Sequence, residues 1–349
     1  MTTGIAVGAA LVIAGTLFWM TPVLSRPGLF FGVTVPSGFA VGQDARRLLG
    51  RYRTSVVIST LVLMLIAALL PGRPVVAVVL AVQSAAALGA WLVAHRSVRA
   101  LVPLVAEVRA ASLVARDDRI PGGTAALVGP FIIVALAAFL VAANWNDVPE
   151  TLPSFRRGAR ESVEKSVASV FGPFAFVAAL LVAFTLQTVL LVRRTRQIAV
   201  AGPSFEAEVR FKRRTAQHSL VASYLMAAGP SWFAVNRALG RGSASTGSGS
   251  VELLWLAAVL ASAVGVTVWM IRSGQGGQRS VPDAAAPAGD RTPDAAWPGG
   301  LFYFNPADPS VFVERRMGVG WSPNFGNPWA WLVMGCGIGL PLLVVLLMR

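Results

Sequence analysis

Residues able to do chemistry are few in this chain, and most stand where chemistry is hard to perform. The 349 residues hold 2 histidines and 1 cysteine. His95 and His218 have no second histidine, cysteine or acid at ligand spacing, and no HExxH occurs, so solvated interfacial histidines are the plainer reading. Cys336 has no partner, which excludes a disulfide or a thiolate metal cluster within one chain. GCGIG (335–339) has the glycines of a dinucleotide loop but lies inside an apolar run with no strand before it. Gly335 and Gly339 instead form a small-xxx-small face suited to helix packing. In 144–168, Asp147, Glu150, Glu161 and Glu164 stand against Arg156, Arg157, Arg160 and Lys165. That mixture reads as a solvated surface, with capture of a metal or a cationic peptide as the sharper alternative. Deep in the apolar runs stand only uncharged amides, Gln83 beside Ser84, and Gln187. Such amides usually bridge helices, at about 1 kcal/mol, and lining a substrate path is the alternative. No catalytic set, cofactor site or metal site emerges, so the expectation is a protein that is not an enzyme.

The elements that must position these residues are membrane spans. Hydrophobic content is 55%, charged content 13%, and mean hydropathy +0.65, whereas soluble domains carry about 25% charged residues. Windows of roughly 20 apolar residues predict spans near 4–24, 54–70, 73–94, 124–143, 169–192, 218–235, 251–271 and 329–348. The expected fold is therefore an all-α polytopic membrane protein of about eight transmembrane helices, the first a retained span and not a cleaved signal. Basic residues number 22 in loops 25–53, 95–123, 193–217 and 272–328, against 8 in the alternate set. The richer set should be cytoplasmic, which puts both termini outside. This distribution accounts for the net charge of +14 without nucleic acid, and makes membrane lipids the expected partners.

Punctuation divides the chain into a membrane domain (1–271), a flexible linker (272–296), an aromatic module (297–328) and an eighth helix (329–349). Pro130 and Pro173 fall in the first turns of their helices, Asn327 caps the last, and Pro230 and Pro341 should bend theirs. RYRTS (51–55) and RFKRR (210–214), offset by 159 residues, suggest a parallel repeat of two halves. The linker is rich in Gly, Pro, Ala and Asp. The module carries Trp297, Phe302, Tyr303, Phe304, Phe312, Trp321 and Phe325, and LFYF, NPADP and VFV predict a hairpin over 301–313. It is too small to fold alone. It should dock as a lid on LFFGVTVP (29–36), with Arg315 and Arg316 facing lipid phosphate or water.

Two resemblances follow from particular residues. In the outer loop, Asp147, Pro149, Pro153, Phe155, Gly158, Lys165 and Ser166 follow the order of a signature that resembles the SdpI-type immunity proteins. Ser154 stands in place of that family's histidine, and RRGARE (156–161) remodels its turn. The stretch 299–328 resembles a cytoplasmic module of bacterial membrane proteins of unknown function, through Asn305, Pro306, Asp308, Pro309, Phe312, Val313, Gly318, Gly320, Trp321, Asn324, Phe325, Gly326 and Asn327. LFFGVTVP resembles the first cytoplasmic loop of the same proteins. These likenesses imply a bacterial inner-membrane protein. It would sense, or give immunity to, an envelope-active peptide or stress, with a peptide or protein partner. Asp147, Pro149, Pro153, Phe155 and Lys165 are then the outer recognition candidates. Phe302, Tyr303, Asn305, Pro306, Asp308, Phe312, Trp321, Asn324 and Phe325 are those of the module. The alternative is a permease-like carrier of a small neutral or amphipathic solute, favoured if a polar path surrounds Gln83 and Gln187.

Overall fold

Apolar runs become helices because lipid offers their backbone no other hydrogen-bond partner. The structure, a computed structural model, describes residues 2–69, 73–102, 119–154, 158–199, 202–240, 248–281 and 289–347. Its long helices are α1 (Thr2–Leu24), α2 (Gln43–Leu69), α3 (Arg73–Leu101), α4 (Gly123–Ala143), α5 (Val167–Arg194), α6 (Gly202–Ala238), α7 (Ser248–Ser273) and α8 (Pro328–Leu347). Three antiparallel ribbons lie in the connections: β1 (Leu29–Phe30) with β2 (Val33–Thr34), β3 (Thr151–Ser154) with β4 (Gly158–Glu164), and β5 (Phe312–Glu314) with β6 (Trp321–Pro323). Seven of the helices, all but α6, are long and apolar enough to cross a bilayer. The chain is an all-α polytopic membrane protein.

α6 is the element that hydropathy reads least well. Its 37 residues extend about 55 Å at 1.5 Å per residue, longer than the apolar layer needs. The first turns carry Glu206, Glu208, Arg210, Lys212, Arg213 and Arg214, so only the second half looks like a span. It nevertheless runs the length of the bundle: its start meets Ile198 and Ala199, while Arg237 at its end bonds the β3–β4 hairpin. α2 and α3 also continue past their expected limits, since charged side chains can ride on a helix beyond the bilayer. RYRTS and RFKRR each begin eight residues after the first residue of α2 and α6.

The helices form two groups. α1, α2 and α3 pack on one another; α4, α5 and α6 make the second group, with α8 along α5 and α7 along α6. Tyr52, Val56, Ala87 and Trp91 belong to the core of the first, and Val134, Val177, Leu181 and Ala227 to that of the second. Direct contact between helices of the two groups is slight. Among the described residues, the chain between α7 and α8 contacts both.

Local signals fare unevenly. Asn327 caps α8 as expected, its Oδ1 accepting from Trp329 N at 3.0 Å. Ser166 and Ser169 form a reciprocal cap on α5, so Pro173 falls in the second turn and not the first; Pro130 lies one residue deeper in α4. Gly335 and Gly339 have open space beside them, because α8 meets α5 through a different face that includes Ala330 and Val333. The expected packing role of these glycines is not realised among the described residues.

Candidate functional site

The site is built where three connections, α1–α2, α5–α6 and α7–α8, meet at one end of the bundle. Arg26, just past α1, is 2% exposed and pairs with Glu314 of β5 at 2.6 Å. Burial pushes the Glu314 carboxyl up to about 7, against the opposing pull of Arg26. Glu208 on α6 is raised for the same first reason, while its oxygens accept the Ile198 and Ala199 amides at 3.0 and 2.9 Å. Gln275 clasps Gly320 through both ends of its amide, at 2.7 Å each. Gly276 lies between: its φ is +62° and a Cβ there would come 2.5 Å from Glu314 Oε1, so glycine is required.

Arg316 reverses its expectation. It is fully buried instead of facing phosphate or water. Nε and Nη2 donate to the two oxygens of Asp290 at 2.7 and 2.9 Å, and Nη1 to Asp294 at 2.5 Å and Gly32 O at 2.9 Å. The guanidinium lies 5.1 Å from the Trp297 ring centroid. Burial works to lower its pKa, but Asp290 and Asp294 outweigh that and raise it. Both acids come from the stretch expected to be a flexible linker. Its described parts, 272–281 and 289–296, are instead packed, with Gln275, Gln278, Asp290 and Thr292 buried. Composition alone cannot distinguish a Gly-rich linker from a Gly-rich tight turn.

The module docks on 29–36 at Gly32, whose carbonyl accepts from Arg316 and where a Cβ would stand 2.6 Å from Gly300 Cα. Neighbouring segments add to this: Asp294 of the preceding stretch accepts from Thr34 Oγ1 at 2.8 Å, and Trp91 of α3 donates to Gly299 O at 3.3 Å. Phe31, at φ +46°, wedges between Tyr52 and Trp91 at centroid distances of 5.2 and 5.1 Å. His95 bonds Phe31 O through Nδ1 at 2.8 Å. This histidine therefore braces the docking loop.

Within the module the strands differ from expectation: Phe312–Glu314 pairs with 321–323, and Tyr303 only bridges Asn324. Buried Asn324 is the internal brace, accepting from Asn305 N and donating to the Asn305, Asp308 and Ser310 carbonyls. Asp308 takes Arg196 Nη1 at 2.7 Å and Tyr303 OH at 2.9 Å. Burial works to raise the Asp308 carboxyl, but bonds from the Ser310 amide and Arg196 prevail and hold it below its ordinary value. Burial is the main cause that pushes Tyr303 up to about 12. Phe302 and Phe304 are exposed, Pro306 likewise, and Phe325 touches Phe302 and Trp331. With Trp329 and Trp331 they make an aromatic rim of the kind that sits at a bilayer surface.

Phe312 and Trp321 do something else. They form the end wall of a cavity of about 690 Å³ between α5, α6 and α7, which Gln187 and His218 also line. Phe211, Trp269 and His218 continue the ring contacts from Trp321 along α6 and α7. Gln83 lies in the other helix group, fully buried, with Nε2 donating to Thr60 Oγ1 at 2.6 Å. The two amides therefore line no common path.

At the opposite end, Lys165 ties the β3–β4 hairpin to the segment before it: Nζ donates to Val148 O at 2.9 Å and sits 4.9 Å from the Trp145 ring centroid. Pro153 O accepts Arg237 Nε at 2.7 Å, and Pro149 lies beside Gly240. Asp147 is exposed, and Phe155 lies outside the described residues. Sequence reasoning passed over Arg26, Glu208, Gln275, Asp290, Asp294, Glu314 and Arg237. Of these, Asp290, Asp294 and Glu314 alone left a signal, as charges in or beside an aromatic module.

These features define a polytopic membrane protein whose last helix is preceded by a small docked module. A family of unknown function, DUF5808, matches residues 306–331, which span β5, β6 and the start of α8. No curated protein and no solved structure matches the chain.

Proposed function

We propose that this is a non-enzymatic bacterial inner-membrane protein that senses, or protects against, an envelope-active peptide or membrane stress. The outer hairpin and helices receive the signal and the module is the readout. One observation carries the reading: Phe312 and Trp321 belong both to the docked module and to the wall of the cavity among α5, α6 and α7. A change in that cavity reaches the module through direct contact. The basic asymmetry favours both termini outside, with the module in the cytoplasm.

The test is protease cleavage within 301–325 in inverted vesicles, with and without membrane-active peptides, alongside survival of cells lacking the protein. The reading requires altered cleavage under challenge and a sensitivity restored by the intact chain. Unchanged cleavage and unchanged survival would reject it. A carrier of an amphipathic solute is the second reading, favoured by a further cavity of about 310 Å³ that shares Leu180, Met226, Pro230 and Trp255 with the first. Net solute uptake by proteoliposomes would select it.

A further inference from the structure

The two cavities abut along α6 through these shared residues, with the Trp255 ring against Gly229, and together they trace one apolar path. It runs from His218 and Trp321 at the module end to Arg237 at the hairpin end. His218 and Arg237 are 19 positions apart in α6, about 28 Å of helix, against a hydrocarbon core of about 30 Å. α7 packs on α6 and on the turn Gln275–Ser280 and stands off α5, so the cleft opens sideways. Its α7 wall belongs to a helix whose Leu253, Leu254, Leu260 and Val264 are exposed, which is a lipid-facing surface. An apolar slot open to lipid is filled most favourably by an apolar chain, at about 0.8 kcal/mol for each methylene buried.

The ends choose between chains. Arg237 is the charged residue in the lining at the hairpin end. Among the described residues its guanidinium bonds two neutral carbonyls, of Pro153 at 2.7 Å and Ser169 at 2.9 Å, and no carboxylate. An anionic head is the complement of that charge, and the guanidinium fork suits phosphate oxygens. An acyl tail reaches only through its own leaflet, about half of the core, whereas this cleft runs nearly the whole depth. We propose that the cleft binds a long-chain polyprenyl phosphate, with the phosphate at Arg237 and the chain lying along α6 toward Trp321. The ligand class rests on the cleft alone; its meaning as a signal rests on the sensing role proposed above.

The experiment uses the full chain in phosphatidylcholine nanodiscs, with retention read by native mass spectrometry. Three probes are compared: a long-chain polyprenyl phosphate, the same polyprenol without phosphate, and phosphatidylglycerol. The phosphate form should be retained at least about tenfold better than either other probe, the discrimination of one charge-assisted contact. Ala222→Trp and Ala263→Trp, which fill the slot from α6 and α7, should each abolish retention while helix content is unchanged. Arg237→Gln should erase the preference for phosphate over alcohol. Equal retention of the three probes, or full retention in both tryptophan variants, overturns the proposal and leaves ordinary annular lipid. Binding without altered cleavage of 301–325 upholds this site and counts against sensing. Altered cleavage under peptide challenge without polyprenyl phosphate retention does the reverse.

Discussion

Arg316 shows how much a single side chain carries here. A guanidinium at 0% exposure with Asp290 and Asp294 against it is stable only as a complete set. Removing one partner strands the others at about 3–5 kcal/mol. Arg316→Ala should therefore lower the thermal midpoint of the purified protein and expose 301–325 to protease. Arg316→Lys should recover little, since an ammonium cannot reproduce the fork to Asp290. Equal stability of the alanine variant would contradict the buried network. Glu314 makes a separate, pH-dependent claim. Arg26, Glu208, Gln275 and Asp290 all face it, and its carboxyl is pushed from 4.5 to about 7. Between those values the folded state holds a proton that the unfolded state has released. Stability thus falls as pH rises from about 4.5 to about 7, then levels off. Glu314→Gln should flatten the part of that slope due to Glu314 in thermal scans; an unchanged slope would remove Glu314 as its source.

At the scale of elements, the turn Gln275–Ser280 is the part most easily misread. Gly276 and Gly277 hold φ of +62° and +74°, so SGQGGQ is a fixed turn against α6 although its composition is that of a linker. Gly276→Ala adds backbone strain of about 1–2 kcal/mol and a clash with Glu314, so hydrogen exchange should rise at both 275–280 and 312–316. Protection unchanged at 312–316 would show that turn and strand are independent. The same turn marks what the sequence made legible. Long apolar runs, the Asn327 cap and the surplus of module aromatics beside LFFGVTVP follow from local composition and spacing, and each has its counterpart in the fold. Asp290 and Asp294 converge on Arg316 from about 22–26 residues away, a pairing that no period or local motif encodes. α6 was half hidden for a related reason: its charged turns continue a helix beyond the depth at which hydropathy counts. The cleft is invisible in sequence because it depends on α7 standing away from α5.

Across the whole molecule, the module bridges the two helix groups among the described residues. Arg26 and Gly32 bind it, and Thr34 binds Asp294 just before it, from the side of α1–α3; Arg196 and Thr195 bind it from the side of α5. Since the groups touch one another only slightly through their helices, their relative position depends on these polar contacts, which open more readily than a packed apolar seam. Glu314→Ala strands Arg26 and should loosen the groups without unfolding either, because their apolar cores are separate. Spin labels placed at Arg47 on α2 and Arg213 on α6, in a Cys336→Ser background, should give a narrow distance distribution in the intact protein and a broad one in Glu314→Ala. Labels at Arg47 and Arg96, both within the first group, should keep the same distribution in each. If the inter-group distance stays narrow after Glu314 is removed, something other than the module sets the arrangement. If the within-group distance broadens as well, the substitution has unfolded the first group and the two are not separable units.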